Sequence, residues 1–357
     1  MAEKVLMKGN EAIAEAAVAA GCRHYFGYPI TPQTEIAAYM AKRMPKIGGT
    51  FLQAESEVAA INMVAGAAAA GVRTMTSSSS PGVALKSEGI SYIAGMDIPA
   101  LVVNIMRAGP GLGGIQPSQG DYWQCVKGGG HGDYRNIVLA PSGVQEMYDF
   151  TKLAFDLADK YRMCAMILSD GVLGQMMEPV AVSASDAPPF CADGKPWALT
   201  GTKGARKPNI INSLYIEPDT LEVLLDKRYA EKYAACEANE VRWDEFLTDD
   251  AEIVVTAYGA PARIARSAVT AARAKGIKAG LLRPITLWPF PKVPLAQLAE
   301  TAKAFVCVEL SKGQMIDDIR LAIECKRPVS LCTRTGGNVP SPEEILTAIE
   351  NAAKEAV

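Results

Sequence analysis

Apolar runs and helical stripes alternate along residues 1–180. Residues 8–20 carry Ala, Ile and Val at helical spacing, and Asn10 stands where it could cap that helix. His24-Tyr-Phe-Gly27 reads as a short strand running into a proline corner. Residues 57–70 read as a helix of small side chains, residues 74–76 as a strand entering a turn at 77–82, and residues 83–95 as a further helix. Ala100-Leu-Val-Val-Asn-Ile-Met106 is almost wholly apolar, the mark of a strand buried on both faces. Strands at 137–140 and 164–168, with a helix at 144–159 between them, continue the alternation. Strands alternating with helices predict an α/β fold with a parallel sheet covered on both faces.

The pattern changes over 181–250. Pro188, Pro189, Pro196 and Pro208 sit among Gly and polar residues, and a charged amphipathic stretch follows at 220–246. This reads as a linker or insertion with one long helix, whose charges are a solvated face or a contact with a partner subunit. A second βαβ series begins at Glu252. It has a strand at 253–257, a turn at Gly259, and a helix at 261–275 with Pro261 in its first turn and Gly276 ending it. Strands at 277–282 and 304–308 and a last helix from Pro342 complete it. Three segments result: 1–180, 181–250 and 251–357.

Composition narrows the function. The formal charge is −3, so nothing here has the basic footprint of a nucleic-acid binder. No apolar run is long enough for a bilayer, and residues 1–20 read as a helix start rather than a signal peptide, which predicts a cytoplasmic protein without a membrane partner. The eight cysteines form no C-x-x-C pair, and His24 and His131 lie away from clustered thiols, so the spacing supports neither a zinc nor an iron–sulfur site. Reduced, buried thiols are expected.

Candidate chemistry gathers in two places. Tyr28-Pro-Ile-Thr-Pro32 fixes a stiff corner around Thr31, and Ala54-Glu-Ser-Glu57 places a carboxylate at a helix start. Glu57 could be a first-turn acid favoured by the helix dipole, and Glu55 competes with it; two positions apart, they point to different sides. Arg107 directly follows the buried strand, where α/β sheets bind ligands, or is a strand-end surface charge. Thr31 contacts a ligand or satisfies its turn; Asp121 and His131 line a site or shape a loop. No G-x-G-x-x-G with an acidic partner, phosphate-binding G-x-x-x-x-G-K-[ST] or G-x-S-x-G elbow is present, so nicotinamide, ATP and hydrolase readings lack support.

Six motifs, in order, resemble the α-type subunit of 2-oxoacid:ferredoxin oxidoreductases. They are Tyr28-Pro-Ile-Thr-Pro32, Glu55-Ser-Glu57, Thr76-Ser-Ser-Ser-Ser-Pro-Gly82, Arg107-Ala-Gly-Pro-Gly, Gln116-Pro-Ser-Gln-Gly-Asp121 and Leu282-Arg-Pro-Ile-Thr-Leu-Trp-Pro-Phe-Pro291. The run from Ile115 to Tyr122, continued by Gly128-Gly-Gly-His-Gly-Asp-Tyr-Arg135, looks most like the branched-chain (2-oxoisovalerate) version. The resemblance covers nearly the whole chain and is weakest at 185–245.

That resemblance implies a thiamine-diphosphate-binding parallel-sheet domain followed by a transketolase C-terminal-like α/β domain. The cofactor would be shared with a β-type subunit that grips the diphosphate and its magnesium; Ser169-Asp-Gly171 lacks the first glycine of the diphosphate motif. Glu57 would hydrogen-bond the aminopyrimidine ring nitrogen and so activate the thiazolium carbon. Thr31 and Arg107 would hold the substrate carboxylate, with Asp121 also placed at the substrate. Tyr28, Pro29, Ile30, Ser80, Pro81 and Gly82 would flank the cofactor. The reaction implied is oxidative decarboxylation of a 2-oxoacid to an acyl-coenzyme A, with electrons passing through iron–sulfur clusters on partner subunits to ferredoxin. The partners implied are the β-type subunit, ferredoxin-like and γ-type subunits, assembled as a dimer of heteromers. Subunits specific for 2-oxoglutarate or pyruvate, and the pyrimidine-binding half of a non-redox decarboxylase, are the competing readings.

Overall fold

The computed structural model describes residues 4–183 and 194–355; Pro188, Pro189 and Cys191 lie outside them. In the first half the order is β1 (Lys4–Lys8), α1 (Gly9–Ala19), β2 (His24–Gly27), α2 (Thr34–Arg43), β3 (Thr50–Gln53), α3 (Glu57–Ala69), β4 (Thr74–Ser78), α4 (Ser80–Gly95) and β5 (Ala100–Met106). Then come α5 (Tyr122–Val126), β6 (Ile137–Leu139), α6 (Val144–Tyr161), β7 (Cys164–Asp170), α7 (Gly171–Gln175) and β8 (Met177–Ala181). After the linker stand α8 (Pro218–Lys227), a π-helical turn over Arg228–Tyr233, α9 (Ala234–Asn239), β9 (Trp243–Phe246), β10 (Ile253–Ala257), α10 (Gly259–Ala274), β11 (Ala279–Pro284) and β12 (Thr286–Trp288). The chain closes with α11 (Lys292–Thr301), β13 (Ala304–Glu309), α12 (Met315–Ala322), β14 (Val329–Thr333) and α13 (Pro342–Glu355).

A seven-stranded sheet runs β12-β6-β7-β5-β4-β2-β3, parallel except for β12 at one edge. A five-stranded sheet runs β14-β13-β10-β11-β9, parallel except for β9. Strands β4, β5 and β7 are buried at every position; β5 and β7 carry the apolar runs that such burial requires, whereas β4, Thr74-Met-Thr-Ser-Ser78, buries mostly hydroxyl side chains. The chain passes from β2 outward to β3 and then crosses to β4 on the other side of β2, so strand order reverses between β2 and β4. Crevices of this kind, at the carboxyl ends of parallel strands, are where open α/β sheets bind ligands.

Several expectations change. Helix α4 starts at Ser80, three residues before the expected position, so Ser80, Pro81 and Gly82 form its first turn. Proline fits there because first-turn N–H groups have no helical partner. Asn10 is inside α1 rather than capping it; its Nδ2 donates to Pro32 O at 2.8 Å and to Glu35 Oε2 at 2.8 Å, which ties the proline corner to the helix. The charged stretch 220–246 is not one helix: it widens into the π-helical turn, the helical part ends at Asn239, and Trp243–Phe246 pairs with β11. Strand β12, unmarked in the sequence, pairs antiparallel with β6 and so fastens the later half of the chain to the first sheet.

Five of the seven described cysteines are buried and none is in a disulfide. Burial pushes the Cys22 and Cys164 thiols up to about 12. No described helix is long and apolar enough to cross a membrane.

Candidate active site

The candidate residues collect at the carboxyl edge of the seven-stranded sheet. Ser56 caps α3, its Oγ accepting from Ala59 N at 3.1 Å, and this sets Glu57 in the first turn. Glu57 is only 6% exposed whereas Glu55 is exposed, which separates the two carboxylates. The Glu57 side chain makes no hydrogen bond to any described residue. An acid this buried without a donor is a group prepared for a ligand, since burying an unsatisfied carboxylate costs stability.

Gly82 explains how Glu57 fits. A Cβ at residue 82 would lie 2.7 Å from Glu57 Oε1 and would also collide with Ser78 Oγ. The Ser-Pro-Gly first turn of α4 is therefore a seat for the Glu57 carboxylate. Gly82→Ala is expected to push that carboxylate aside and lower turnover roughly a hundredfold, a size typical of an ångström-scale misplacement. Comparing kcat with the melting temperature checks this, because the fold should survive.

Arg107 is 8% exposed and clamps two loops. Its Nη1 donates to Thr31 O at 3.0 Å and its Nη2 to Leu112 O at 3.2 Å. Its Nε is buried without a partner, leaving donors for an anion. Thr31 is exposed and its hydroxyl has only Thr34 Oγ1 at 3.5 Å, so it too is available.

Ser80, Pro81, Arg107 and Asp121 line a cavity of about 700 Å³ whose opposite wall is Leu310–Gln314 with Thr335 and Gly336. A polar lattice supports this wall. Ser80 Oγ donates to Asp121 Oδ2 at 2.5 Å, Asn104 Nδ2 donates to the same oxygen at 3.0 Å, and Ser80 N donates to Asn104 Oδ1 at 3.1 Å. Burial raises the Asp121 carboxyl, and these hydrogen bonds oppose it. Gln119 joins the two sheets below, its Nε2 donating to Tyr258 O at 2.9 Å and its Oε1 accepting from Leu310 N at 2.9 Å.

Some expected residues stand apart. Thr31, Glu57 and Gly82 border the cavity's elements without lining it, and Tyr28, Pro29 and Ile30, on the loop before Thr31, are likewise outside the lining, with Tyr28 O accepting from Gln33 Nε2 at 3.4 Å. His131 is exposed beside Ser91 and Tyr92, away from the cavity. Asn104, Gln119 and Lys312 were not anticipated. Asn104 had a signal, a polar residue inside the apolar run of β5, and Gln119 stands inside the Gln116–Asp121 motif; Lys312 had none.

Asp170, in the Ser169-Asp-Gly171 segment, has a structural task. It caps α7, Oδ1 accepting from Val172 N at 2.8 Å and Leu173 N at 3.3 Å, and it is 1% exposed. Burial raises its carboxyl from 3.8 to about 6. The folded chain thus keeps a proton there that the unfolded chain releases near pH 4, so this group's contribution to stability falls as pH rises from about 4 to 6. Asp170→Asn is expected to remove that slope, roughly 3 kcal/mol over the interval. Urea unfolding of both proteins at each pH checks it.

A buried, unpaired carboxylate at a sheet switch point, a glycine seat and an arginine with free donors fit the aminopyrimidine side of thiamine diphosphate. The fold and this arrangement define a thiamine-dependent α/β enzyme subunit. Residues 15–203 match the family model for pyruvate flavodoxin/ferredoxin oxidoreductase, thiamine-diphosphate-binding, and residues 251–345 match pyruvate:ferredoxin oxidoreductase core domain II. The ketoisovalerate oxidoreductase subunit VorB of Methanothermobacter thermautotrophicus is 52% identical over 354 residues, covering 98% of each chain. The 2-oxoglutarate:ferredoxin oxidoreductase of Magnetococcus marinus, solved with 2-oxoglutarate, coenzyme A and succinyl-CoA bound, superposes with a TM-score of 0.85 at 28% identity. That match covers 98% of this chain and 65% of the solved one. A split-gene transketolase, 12% identical with a TM-score of 0.59 and 99% of both chains covered, shows the fold alone. This chain belongs to the 2-oxoacid:ferredoxin oxidoreductase family, as an α-type subunit. The VorB relative is by name one subunit of an enzyme, which implies partner subunits for this chain.

Proposed function

We propose that this chain is the pyrimidine-binding half of a cytoplasmic enzyme that oxidatively decarboxylates a branched-chain 2-oxoacid, with Glu57, Thr31 and Arg107 as its working residues. The observation that carries the site assignment is the Glu57 carboxylate seated on Gly82 without a hydrogen-bond partner. Thiamine diphosphate, when bound, supplies a carbon nucleophile and an electron sink for loss of carbon dioxide. Glu57 holds a proton at the pyrimidine ring nitrogen. Arg107 and the Thr31 hydroxyl fix the substrate carboxylate, the guanidinium by charge-assisted hydrogen bonds. The Ser80–Asn104–Asp121 lattice keeps the first turn of α4 in place, so that Gly82 remains against Glu57.

A β-type subunit would grip the diphosphate and magnesium. Ferredoxin-like and γ-type subunits would carry iron–sulfur clusters and pass electrons to ferredoxin, and coenzyme A would accept the acyl group. The substrate assignment is supported by the VorB relative. A second reading, 2-oxoglutarate, is favoured by Lys312, a second basic side chain in the cavity wall. Relative kcat/KM of the reconstituted complex for 2-oxoisovalerate, 2-oxoglutarate and pyruvate separates them: a preference for 2-oxoisovalerate is expected, and a preference for 2-oxoglutarate that Lys312→Ala abolishes would reverse the assignment.

A further inference from the structure

Lys86 is fully buried in α4, and its Nζ has no hydrogen-bond partner among the described residues. An unpaired buried ammonium is costly, so its place needs a reason. Helix α4 touches α3 at two glycines: Gly82 lies against Glu57, and a Cβ at Gly89 would press on Ile61. Residues 82, 86 and 89 are spaced by one helical turn and share a face, which sets Lys86 between those two contacts, one turn along α4 from the Glu57 seat. Helix α4 packs on α3, β5 and β7. Along those elements the titratable groups are Glu57 on α3 and Cys164 and Asp170 at the two ends of β7; β5 has none, and Arg107 follows it. On α4 itself Glu88 is exposed and taken by Tyr92. Glu57 is the charge whose field reaches Lys86, where it opposes the burial that pulls the amine down to about 8. Below that pH Lys86 is a cation, and among the described residues Glu57 has no hydrogen bond or ion pair.

We propose that Lys86 is a positioning residue of the thiamine site, its buried ammonium standing one turn along α4 from the Glu57 seat and holding that carboxylate ionised. The proton shared between Glu57 and the cofactor's ring nitrogen then sits on the nitrogen. With the cofactor bound, Glu57 would accept the hydrogen bond as the anion, the proton staying on the ring nitrogen, and the Lys86 ammonium would stabilise that anion. This inference rests on Glu57 being the cofactor-activating carboxylate.

The test uses the reconstituted complex without thiamine diphosphate. The Glu57 carboxyl band is isolated by infrared difference against Glu57→Gln and titrated with pH, first in the native background and then with Lys86→Met. Losing the cation should raise the Glu57 midpoint by about one pH unit, the low end of what a nearby opposite charge does. The acid limb of kcat/KM in the loaded complex should rise in step. Methionine fills the same space, and replacing a buried charge by an apolar group is commonly tolerated; Lys86→Gln is the second variant and should give the same shift, while Lys86→Arg, which keeps the cation, should return the midpoint toward the native value. An unmoved midpoint in both neutral variants, with Glu57→Gln inactive, overturns the role of Lys86 and leaves the site assignment standing. Full turnover in Glu57→Gln overturns both.

Discussion

Glu57→Gln is expected to lower turnover of the reconstituted complex by a hundred- to ten-thousand-fold, the range that a positioned proton-transfer group contributes. Glutamine has the same shape, so it can occupy the seat on Gly82 and leave the packing of α3 against α4 intact. What it removes is the charge. The amide cannot hold a proton on the cofactor nitrogen, and it leaves Lys86 buried with no anion nearby. The loss should fall on kcat, with the KM for the oxoacid nearly unchanged, because Glu57 is proposed to meet the cofactor and not the substrate. Melting curves of the two complexes serve as the control for folding. A Gln complex with native kcat would remove the basis for calling this a working thiamine half-site.

Arg107→Met should be almost as damaging, with a different signature. The guanidinium is proposed to hold the substrate carboxylate while it ties Thr31 O at 3.0 Å and Leu112 O at 3.2 Å. Hydrogen bonds to charged groups contribute about 1.5–3 kcal/mol each, so losing two toward substrate lowers kcat/KM roughly a hundred- to ten-thousand-fold. The substrate KM should rise, and the Thr31 corner should loosen as its carbonyl loses its donor. Arg107→Lys keeps a charge without the planar fork, and an intermediate value is expected. Steady-state kinetics of both variants with the preferred oxoacid check this; an unchanged KM in Arg107→Met would place the carboxylate elsewhere.

Much of this arrangement was legible in the residues. The apolar run Ala100–Met106 is strand β5, residue for residue, because burial on both faces leaves no other pattern. Arg107 follows it at the sheet's carboxyl edge, where its position after the strand had placed it. Other features depend on distant partners. Strands β9 and β12 are four and three residues long and form only because β11 and β6 lie beside them. The Ser-Pro-Gly segment has turn chemistry, yet it is the start of α4, and its glycine is required by Glu57 across the helix pair. Lys86 looks like any helix lysine until the α3–α4 contact is known. Likewise the cavity wall at Leu310–Gln314 comes from a loop just over two hundred positions along the chain from Arg107, and no local pattern marks it.

The central claim is that Glu57 is the group through which this subunit activates thiamine diphosphate. The rate of hydrogen–deuterium exchange at the thiazolium C2 of the cofactor, measured by quenched NMR in the reconstituted complex without oxoacid, tests it most directly. Exchange should be fast in the native complex and at least about a hundredfold slower in Glu57→Gln. Equal rates in the two complexes would contradict the account.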